Sequence, residues 1–335
     1  MTPTSTPTLT RHTMRAAVYS RYGPPEVVRV EEVEKPAPGP GELLVRVRAT
    51  AVSSGDNRAR GLELPPGFGP MGRLMFGLRG PRQPILGSVA AGEVEAVGQG
   101  VQGFRPGDPV LAFPDVKLGC HAEYRCVAAG GAVVPRPASL GPEEAAALPF
   151  GGVAALQFLR RARVARGERV LVNGASGEVG VACVQLARHL GAEVTAVSSG
   201  GNAELVRSLG AARVVDYTRE DFVAPGQAWD VIVDCAGTSP LSRCRRALVP
   251  GGRLLLVLAS LGDMLRSPWD SLTSGRKVIA GVSTGNRADL EELVRLAEAG
   301  DFRPVIGRRF TLDQVALAHA HVASGHKRGC AVVTV

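Results

Sequence analysis

Two hydrophobic patterns divide the chain. In the N-terminal part apolar and charged residues alternate, most regularly over residues 42–49, which predicts strands with one buried and one exposed face. From about Pro142, apolar runs of strand length alternate with segments of helical periodicity, which predicts parallel strands covered by helices on both faces. The fold class predicted is therefore α/β, with a β-rich part followed by a doubly wound parallel sheet.

The pattern also predicts individual elements. Strands are expected at 14–19, 27–30, 42–49, 169–173, 193–197, 214–217, 229–234, 253–258, 278–282 and 330–335. Helices are expected at 143–148, 153–161, 181–190, 203–209, 241–248 and 290–299. Residues 53–58 form a turn that enters a short helix, and residues 61–84 are expected to be an apolar loop that either shapes a pocket or covers a core.

One stretch, residues 168–199, predicts dinucleotide binding. Its pattern predicts a strand, a glycine-rich turn, a helix and a second strand. Gly174, Gly177 and Gly180 let the backbone turn sharply and approach a pyrophosphate, which unpaired N–H groups and the helix dipole would hold. A structural turn in an unliganded domain is the alternative, and the surrounding strands and helix favour the dinucleotide.

Composition narrows the classes of function. The chain has 335 residues, of which 45% are apolar and 21% charged, and no apolar run is long enough to span a membrane. Its net charge of +8 is scattered and is not interleaved with aromatic residues, so no nucleic-acid partner is expected. The six cysteines contain no C-x-x-C pair and are expected to be reduced. Residues 1–13 are expected to form a disordered tail without a secretory signal, and the protein is expected to be cytoplasmic.

The sequence resembles the medium-chain dehydrogenase/reductase superfamily from Met14 to Val335, and within it the zinc-independent, quinone oxidoreductase-like branch. The segments that carry the resemblance are VNGASGEVG at 172–180, PGD at 106–108, AEY at 122–124, AAALP at 145–149 and LGA at 209–211. The resemblance implies a GroES-like catalytic domain over 14–138, a Rossmann domain over 139–302, and a return to the catalytic domain over 303–335. It also implies a cleft between the two domains for nicotinamide and substrate.

Metal ligands of the zinc-dependent branch are missing. In that branch a cysteine and the histidine of a Gly-His-Glu segment bind the catalytic zinc, and here Ser53 and Ser88 stand at those places. The four closely spaced cysteines of the structural zinc lobe are absent as well. Cys120 and His121 match a glycine-aromatic turn, so a hairpin position is favoured over metal binding. No metal is expected.

The cofactor implied is NADPH, with NADH as the alternative. A carboxylate at the end of the second strand would bind the 2′-hydroxyl of NAD and repel the 2′-phosphate of NADP, and this chain has serines there. The lysine or arginine often found nearby in NADPH-dependent relatives is replaced by Gly201 and Asn202. Tyr217 matches a tyrosine near that phosphate, or packs beneath the adenosine. The residues expected to contact the cofactor are Asn173, Gly174, Ala175, Ser176, Gly177, Glu178, Val179, Gly180, Ser198, Ser199, Asn202, Tyr217, Cys235, Ala236, Ala259, Ser260, Lys327 and Gly329.

The implied reaction is hydride transfer to a quinone or an α,β-unsaturated carbonyl, whose delocalised anion needs no metal. Ser53, Asp56 and Tyr124 are the catalytic candidates, with Tyr19 a weaker one. Asp56 is equally well explained as a helix cap. His319 and His321 are expected to be surface or packing residues.

Three other functions stay open: a 2-enoyl thioester reductase, an alcohol dehydrogenase, and a non-enzymatic NADPH- or RNA-binding relative. The resemblance also implies a homodimer that pairs the predicted strand at 278–282.

Overall fold

The computed structural model describes residues 12–224, 226–325 and 327–335. Its strands are β1 (Thr13–Val18), β2 (Arg29–Glu34), β3 (Glu42–Val52), β4 (Ala90–Val97), β5 (Pro109–Ala112), β6 (Tyr124–Ala128), β7 (Val133–Pro135), β8 (Arg169–Asn173), β9 (Glu193–Ser198), β10 (Arg213–Asp216), β11 (Trp229–Asp234), β12 (Leu248–Leu256), β13 (Lys277–Ala280), β14 (Ile306–Thr311) and β15 (Cys330–Thr334). Its α-helices are α1 (Ser54–Gly61), α2 (Gly69–Phe76), α3 (Pro142–Ala146), α4 (Pro149–Ala162), α5 (Glu178–His189), α6 (Ala203–Ser208), α7 (Leu241–Cys244), α8 (Leu261–Ser274), α9 (Arg287–Glu298) and α10 (Val315–Ala323).

The second half of the chain builds a parallel sheet in the order β10-β9-β8-β11-β12-β13. The direction of winding reverses between β8 and β11, which is where doubly wound sheets open a crevice for ligands. Both faces are covered, because the side chains of the central strands alternate between two separate hydrophobic clusters, one on each side. This sheet confirms the predicted α/β class.

The first half builds a mixed sheet in the order β14-β15-β3-β4-β5-β7, with β6 also paired to β3. β15 is antiparallel to β3, with Ala331 opposite Val52, so the last strand of the chain joins strands from its first third. One hydrophobic cluster runs from β3, β4 and β5 through α3 and α4 to the parallel sheet. This shared core fixes one sheet against the other. The predicted domain boundaries stay predictions.

Three secondary-structure predictions were wrong. Residues 61–84 are not all loop, because α2 forms there. Its glycines disfavour an isolated helix, but Gly72 packs so closely on Leu64 that a Cβ would lie 1.9 Å from that side chain. The helix predicted at 241–248 ends at Cys244, since Leu248 already pairs in β12.

The third error is one of omission, because neither strand β14 nor helix α8 was predicted. The N-terminus of α8 is fixed by a reciprocal cap between Ser260 and Asp263. Of the predicted tail 1–13, residues 1–11 lie outside the described residues, and Thr13 already belongs to β1. In the part of the chain that the structure describes, no helix has both the length and the apolar character of a membrane span.

Candidate active site

A cavity of about 1,040 Å³ opens where the carboxyl ends of the parallel strands face the mixed sheet. Sixteen of the residues proposed from the sequence lie on its wall. They are Asp56, Asn173, Gly174, Ser176, Gly177, Glu178, Val179, Gly180, Ser198, Ser199, Asn202, Tyr217, Cys235, Ala236, Ala259 and Lys327. The structure therefore brings together side chains spread over most of the chain length.

The glycine turn joins β8 to α5 on one wall of this cleft. Gly174 has a φ of +75°, and a Cβ on Gly180 would lie 2.1 Å from the Gly174 carbonyl oxygen. Both positions therefore require glycine. The first bond of α5 is donated by Val181 N to Gly177 O at 2.9 Å, so among the described residues the N–H groups of residues 178–180 have no carbonyl partner one helical turn before them. Such a terminus binds phosphate. Ala175 is fully buried behind the turn.

Asp234, which the sequence analysis missed, organises the loop next to the glycine turn. It ends β11 and is buried, and its carboxylate accepts N–H bonds from Ala236, Gly237 and Ser239 at 2.7–3.2 Å. The Asn173 amide nitrogen lies 2.9 Å from the Asp234 carboxylate. The carboxylate at the end of a buried strand, followed by Gly-Thr-Ser, was the signal available in the sequence.

The end of β9 forms a small polar pocket on the cleft wall. The Asn202 amide nitrogen donates to Ser176 Oγ and Ser199 Oγ, both at 3.1 Å. Arg328 reaches this pocket from the C-terminal segment and donates to the carbonyl of Gly201. Arg328 lies between Lys327 and Gly329, which were both predicted to contact the cofactor, but no cation was predicted for this pocket.

An acid lies near the same pocket. Asp216, at the end of β10, accepts from Thr218 N at 3.0 Å and Thr218 Oγ1 at 2.7 Å, and these bonds lower the pKa of its carboxyl. Tyr217 follows it and is 57% exposed.

Lys327 and Glu178 form a buried ion pair beside the glycine turn. Lys327 Nζ lies 2.6 Å from Glu178 Oε2, and the two side chains are only 10% and 4% exposed. Gly329 does not line the cleft, but its N–H donates to Ser176 O at 2.8 Å. The C-terminal segment is thus tied to the turn through one ion pair and one backbone bond.

The floor of the cleft carries the polar candidates from the mixed sheet. The Ser53 hydroxyl donates to Asp56 Oδ2 at 2.6 Å and caps α1, so Asp56 is part of a helix cap as well as of the cleft wall. Ser53 itself is fully buried behind Asp56 and does not line the cavity. Ser88 Oγ lies 3.4 Å from the same oxygen and faces the cleft. Oδ1 of Asp56 is buried without a partner among the described residues.

Two histidines are buried near this floor. His121 Nε2 lies 3.0 Å from the carbonyl of Ala51, to which it donates, and His319 Nδ1 lies 3.2 Å from Asn57 Oδ1. Burial lowers the pKa of both imidazoles. His319 is thus a packing residue.

Asp115 on the opposite wall was also missed by the sequence analysis. It has a φ of +53°, accepts from Gly285 N at 2.9 Å, and has a pKa raised by burial.

Three proposed residues lie elsewhere. Tyr124 lines a separate, shallow pocket, where Lys35 Nζ lies 3.6 Å from its ring centre, so the structure does not place it at the cleft. Ser260 uses its hydroxyl to cap α8, while the adjacent Ala259 lines the cleft. Tyr19 is a core residue whose pKa is raised by burial.

Comparison with known proteins covers nearly the whole chain. Residues 39–138 match the family described as alcohol dehydrogenase GroES-like domain, and residues 209–333 match the family described as zinc-binding dehydrogenase. A quinone oxidoreductase of Pseudomonas aeruginosa is 32% identical over 94% of this chain and 98% of its own length. A chloroplastic quinone oxidoreductase of Triphysaria versicolor is 30% identical over 96% of this chain and 98% of its own.

The architecture agrees with these matches. The solved structure of a quinone oxidoreductase from Coxiella burnetii is similar with a TM-score of 0.85 and 26% identity, over 97% of this chain and 100% of that one. The resemblance drawn from the sequence is confirmed: the chain is an oxidoreductase of the medium-chain dehydrogenase/reductase superfamily, in its quinone oxidoreductase-like branch.

Proposed function

We propose that the protein is a zinc-independent reductase that transfers hydride from NADPH to a quinone or an α,β-unsaturated carbonyl. The observation that carries this proposal is the pair of serines that hydrogen-bond to Asp56, with Ser88 on the cleft wall and Ser53 buried behind it, where the zinc-dependent branch has an imidazole and a thiolate. Hydroxyls are poor zinc ligands. Among the described residues, no group of three His, Cys, Asp or Glu side chains is arranged to hold a metal ion.

The pocket at the end of β9 supports NADPH as the cofactor. Two serine hydroxyls, the Asn202 amide and the Arg328 guanidinium would surround a 2′-phosphate with donors and a positive charge. The Asp216 carboxylate lies beside this pocket next to Gly200, and one of its oxygens accepts two bonds from Thr218. The pyrophosphate would lie at the N-terminus of α5.

The reaction needs little from the protein beyond alignment and charge stabilisation. When bound, the reduced nicotinamide supplies the hydride. Phe113, Phe150 and Phe158 line the cleft and would exclude water from the reacting atoms. The Ser88 hydroxyl, which in this structure donates to Asp56 Oδ2 at 3.4 Å, would turn its single proton to the substrate oxygen as negative charge develops there. A conjugated acceptor spreads this charge, whereas a simple ketone does not.

The test is stopped-flow oxidation of NADPH and NADH in the presence of a chelator, against quinones, enones, 2-enoyl thioesters and aldehydes. We expect faster turnover of quinones or enones with NADPH, and no loss of rate or thermal stability after chelation. Activity on aldehydes that requires added zinc would refute the proposal. A preference for 2-enoyl thioesters would move the substrate class to that alternative.

We further propose a cytoplasmic homodimer. β13 is an edge strand of the parallel sheet, and an unpaired edge can extend the sheet into a second subunit. Just after this strand Val282 is 60% exposed, and the adjacent α8 exposes Leu265, Trp269 and Leu272. These apolar side chains would be covered by dimerisation through β13.

A further inference from the structure

Helix α2 presents large apolar side chains to solvent at the mouth of the cleft. Met71, Leu74 and Met75 lie at positions i, i+3 and i+4 of this helix, and Leu78 follows its C-terminal glycine. Their exposed fractions are 49%, 64%, 47% and 64%. These four residues, here called the α2 stripe, form a continuous apolar strip of a kind that soluble surfaces rarely leave uncovered.

The stripe faces outward because the other side of α2 is fixed to the protein. Gly72 packs on Leu64, and Phe76 packs on the hydrophobic cluster beneath the mixed sheet. The helix end is anchored by the Tyr22 hydroxyl, which donates to Gly77 O at 2.9 Å, and by Arg82 N, which donates to Phe76 O at 2.7 Å. Turning the stripe inward would break these contacts.

Positive charge surrounds the stripe. Arg73, Arg79 and Arg82 are exposed, and the sequence contains no Asp or Glu between Glu63 and Glu93. Within the described residues, none of these three arginines forms a salt bridge with a carboxylate. The surface therefore combines exposed apolar side chains with unneutralised positive charge.

We propose that the α2 stripe docks on the surface of a lipid bilayer that carries anionic headgroups. The four apolar side chains would enter the boundary between headgroups and acyl chains, and the three arginines would pair with lipid phosphates. A second copy of the chain fits less well, because a twofold pairing of this surface would bring the two arginine clusters towards each other. No membrane partner was predicted from the sequence, because no apolar run is long enough to span a bilayer. Docking on the bilayer surface would revise that prediction.

Docking would connect the bilayer to the cleft. Met71 and Met75 belong to the stripe and also line the cavity, so the apolar surface continues from the outside into the site. A lipophilic quinone could then pass from the acyl chains to the cofactor without crossing water. This consequence rests on the proposed function, whereas the docking itself does not.

The test is flotation of the full chain with vesicles in the absence of substrate. We expect recovery with vesicles of phosphatidylcholine and phosphatidylglycerol, and much less with phosphatidylcholine alone. The double variant L74E/L78E and the triple variant R73Q/R79Q/R82Q should each reduce binding by at least about tenfold. The control L317E changes an equally exposed leucine (62%) on α10 and should bind as the wild type does.

Three outcomes would overturn the proposal. The first is that the wild type does not float with the vesicles. The second is that L317E loses binding as fully as L74E/L78E does. The third is that L74E/L78E changes the sedimenting mass, which would identify a protein partner. Circular dichroism checks that each variant is folded, and the arginine variant tests the surface without changing apolar contacts.

Activity on a water-soluble quinone should be unchanged in L74E/L78E, whereas activity on a vesicle-bound quinone should fall. Vesicle binding without reduction of any quinone or α,β-unsaturated carbonyl would refute the proposed function and leave docking intact.

Discussion

Residues far apart in the sequence complete the cofactor wall. The glycine turn, the serines after β9 and the segment around Lys327 come from three separate regions, and Lys327 pairs with Glu178 at 2.6 Å. A carboxylate at a phosphate-binding helix terminus would repel the ligand if it were unpaired. The buried lysine offsets that charge. We infer that Glu178 is tolerated in the turn because of this partner.

Arg328 should decide the preference between the two cofactors. Replacing it in R328Q removes the positive charge next to Gly201, so KM for NADPH should rise about tenfold while KM for NADH stays unchanged. Steady-state kinetics with both cofactors measure the two values. R295Q is the matched control, since Arg295 is an exposed arginine on α9 that pairs with Glu292 away from the cleft. Equal effects of R328Q on both cofactors would contradict a phosphate-binding role.

At the same scale, the sequence identified most residues of the wall but not their partners. The serines and glycines were found because they lie in one motif. Asp115 was missed because its partner Gly285 is distant along the chain and its own backbone has a positive φ. Asp234 was missed although its N–H partners follow it directly in the sequence. Tyr124, predicted at the cleft, lies opposite Arg46 of β3 and lines a separate pocket with Met14 and Val18 of β1.

Elements are fixed by caps and by a few ion pairs across the sheets. Ser53 and Ser260 each form a reciprocal cap, which starts α1 and α8 at defined residues. Glu168, just before β8, accepts two bonds from Arg253 of β12 at 2.9 and 2.6 Å. This pair joins strands that are not neighbours in the sheet, across β11.

The Glu168–Arg253 pair should make stability depend on pH. The hydrogen bonds from Arg253 lower the pKa of Glu168, so the pair stabilises the fold above the ordinary glutamate pKa and is lost as pH falls through the lowered value. At neutral pH, E168Q should reduce the free energy of unfolding by about 1 kcal/mol. Urea denaturation at several pH values measures this difference.

The difference between E168Q and wild type should shrink towards zero in acid. E292Q is the control, because Glu292 and Arg295 are more exposed and their pair should contribute less at any pH. A loss of stability in E168Q that is the same at all pH values would show that the charge is not responsible.

Helices were harder to predict than strands for physical reasons. The buried parallel strands are short continuous apolar runs, so their positions were confirmed within a few residues. α2 contains glycines and a proline, and tertiary contacts through Gly72 and Phe76 stabilise it. α8 leaves Leu265, Trp269 and Leu272 exposed. Among the described residues, these three side chains are not covered by the hydrophobic core.

At the scale of the whole molecule, topology was predictable and the cleft was predictable only in part. Alternating strands and helices indicated the parallel sheet, and the family resemblance supplied the second domain. The distance between the two sheets, and therefore the cavity, depends on the shared core of β3–β5, α3 and α4, which no local pattern encodes.

Subunit association should depend on the edge at β13. We expect the wild type to sediment as a dimer, and V282D to sediment as a monomer because it places a charge in the proposed apolar contact. Sedimentation velocity measures both masses. L317D is the control, since Leu317 is similarly exposed on α10 but remote from β13. A monomeric wild type would refute the homodimer.

The pairing of β15 with β3 also has a consequence for synthesis. β3 emerges from the ribosome long before its partner, because the entire parallel sheet is translated between them. All strands of the parallel sheet are translated before β15, so this sheet can begin to fold while translation continues. The nascent chain therefore carries an unfinished β-edge on β3 until the last strand is made, and it is during this interval that chaperones would protect it from misassembly.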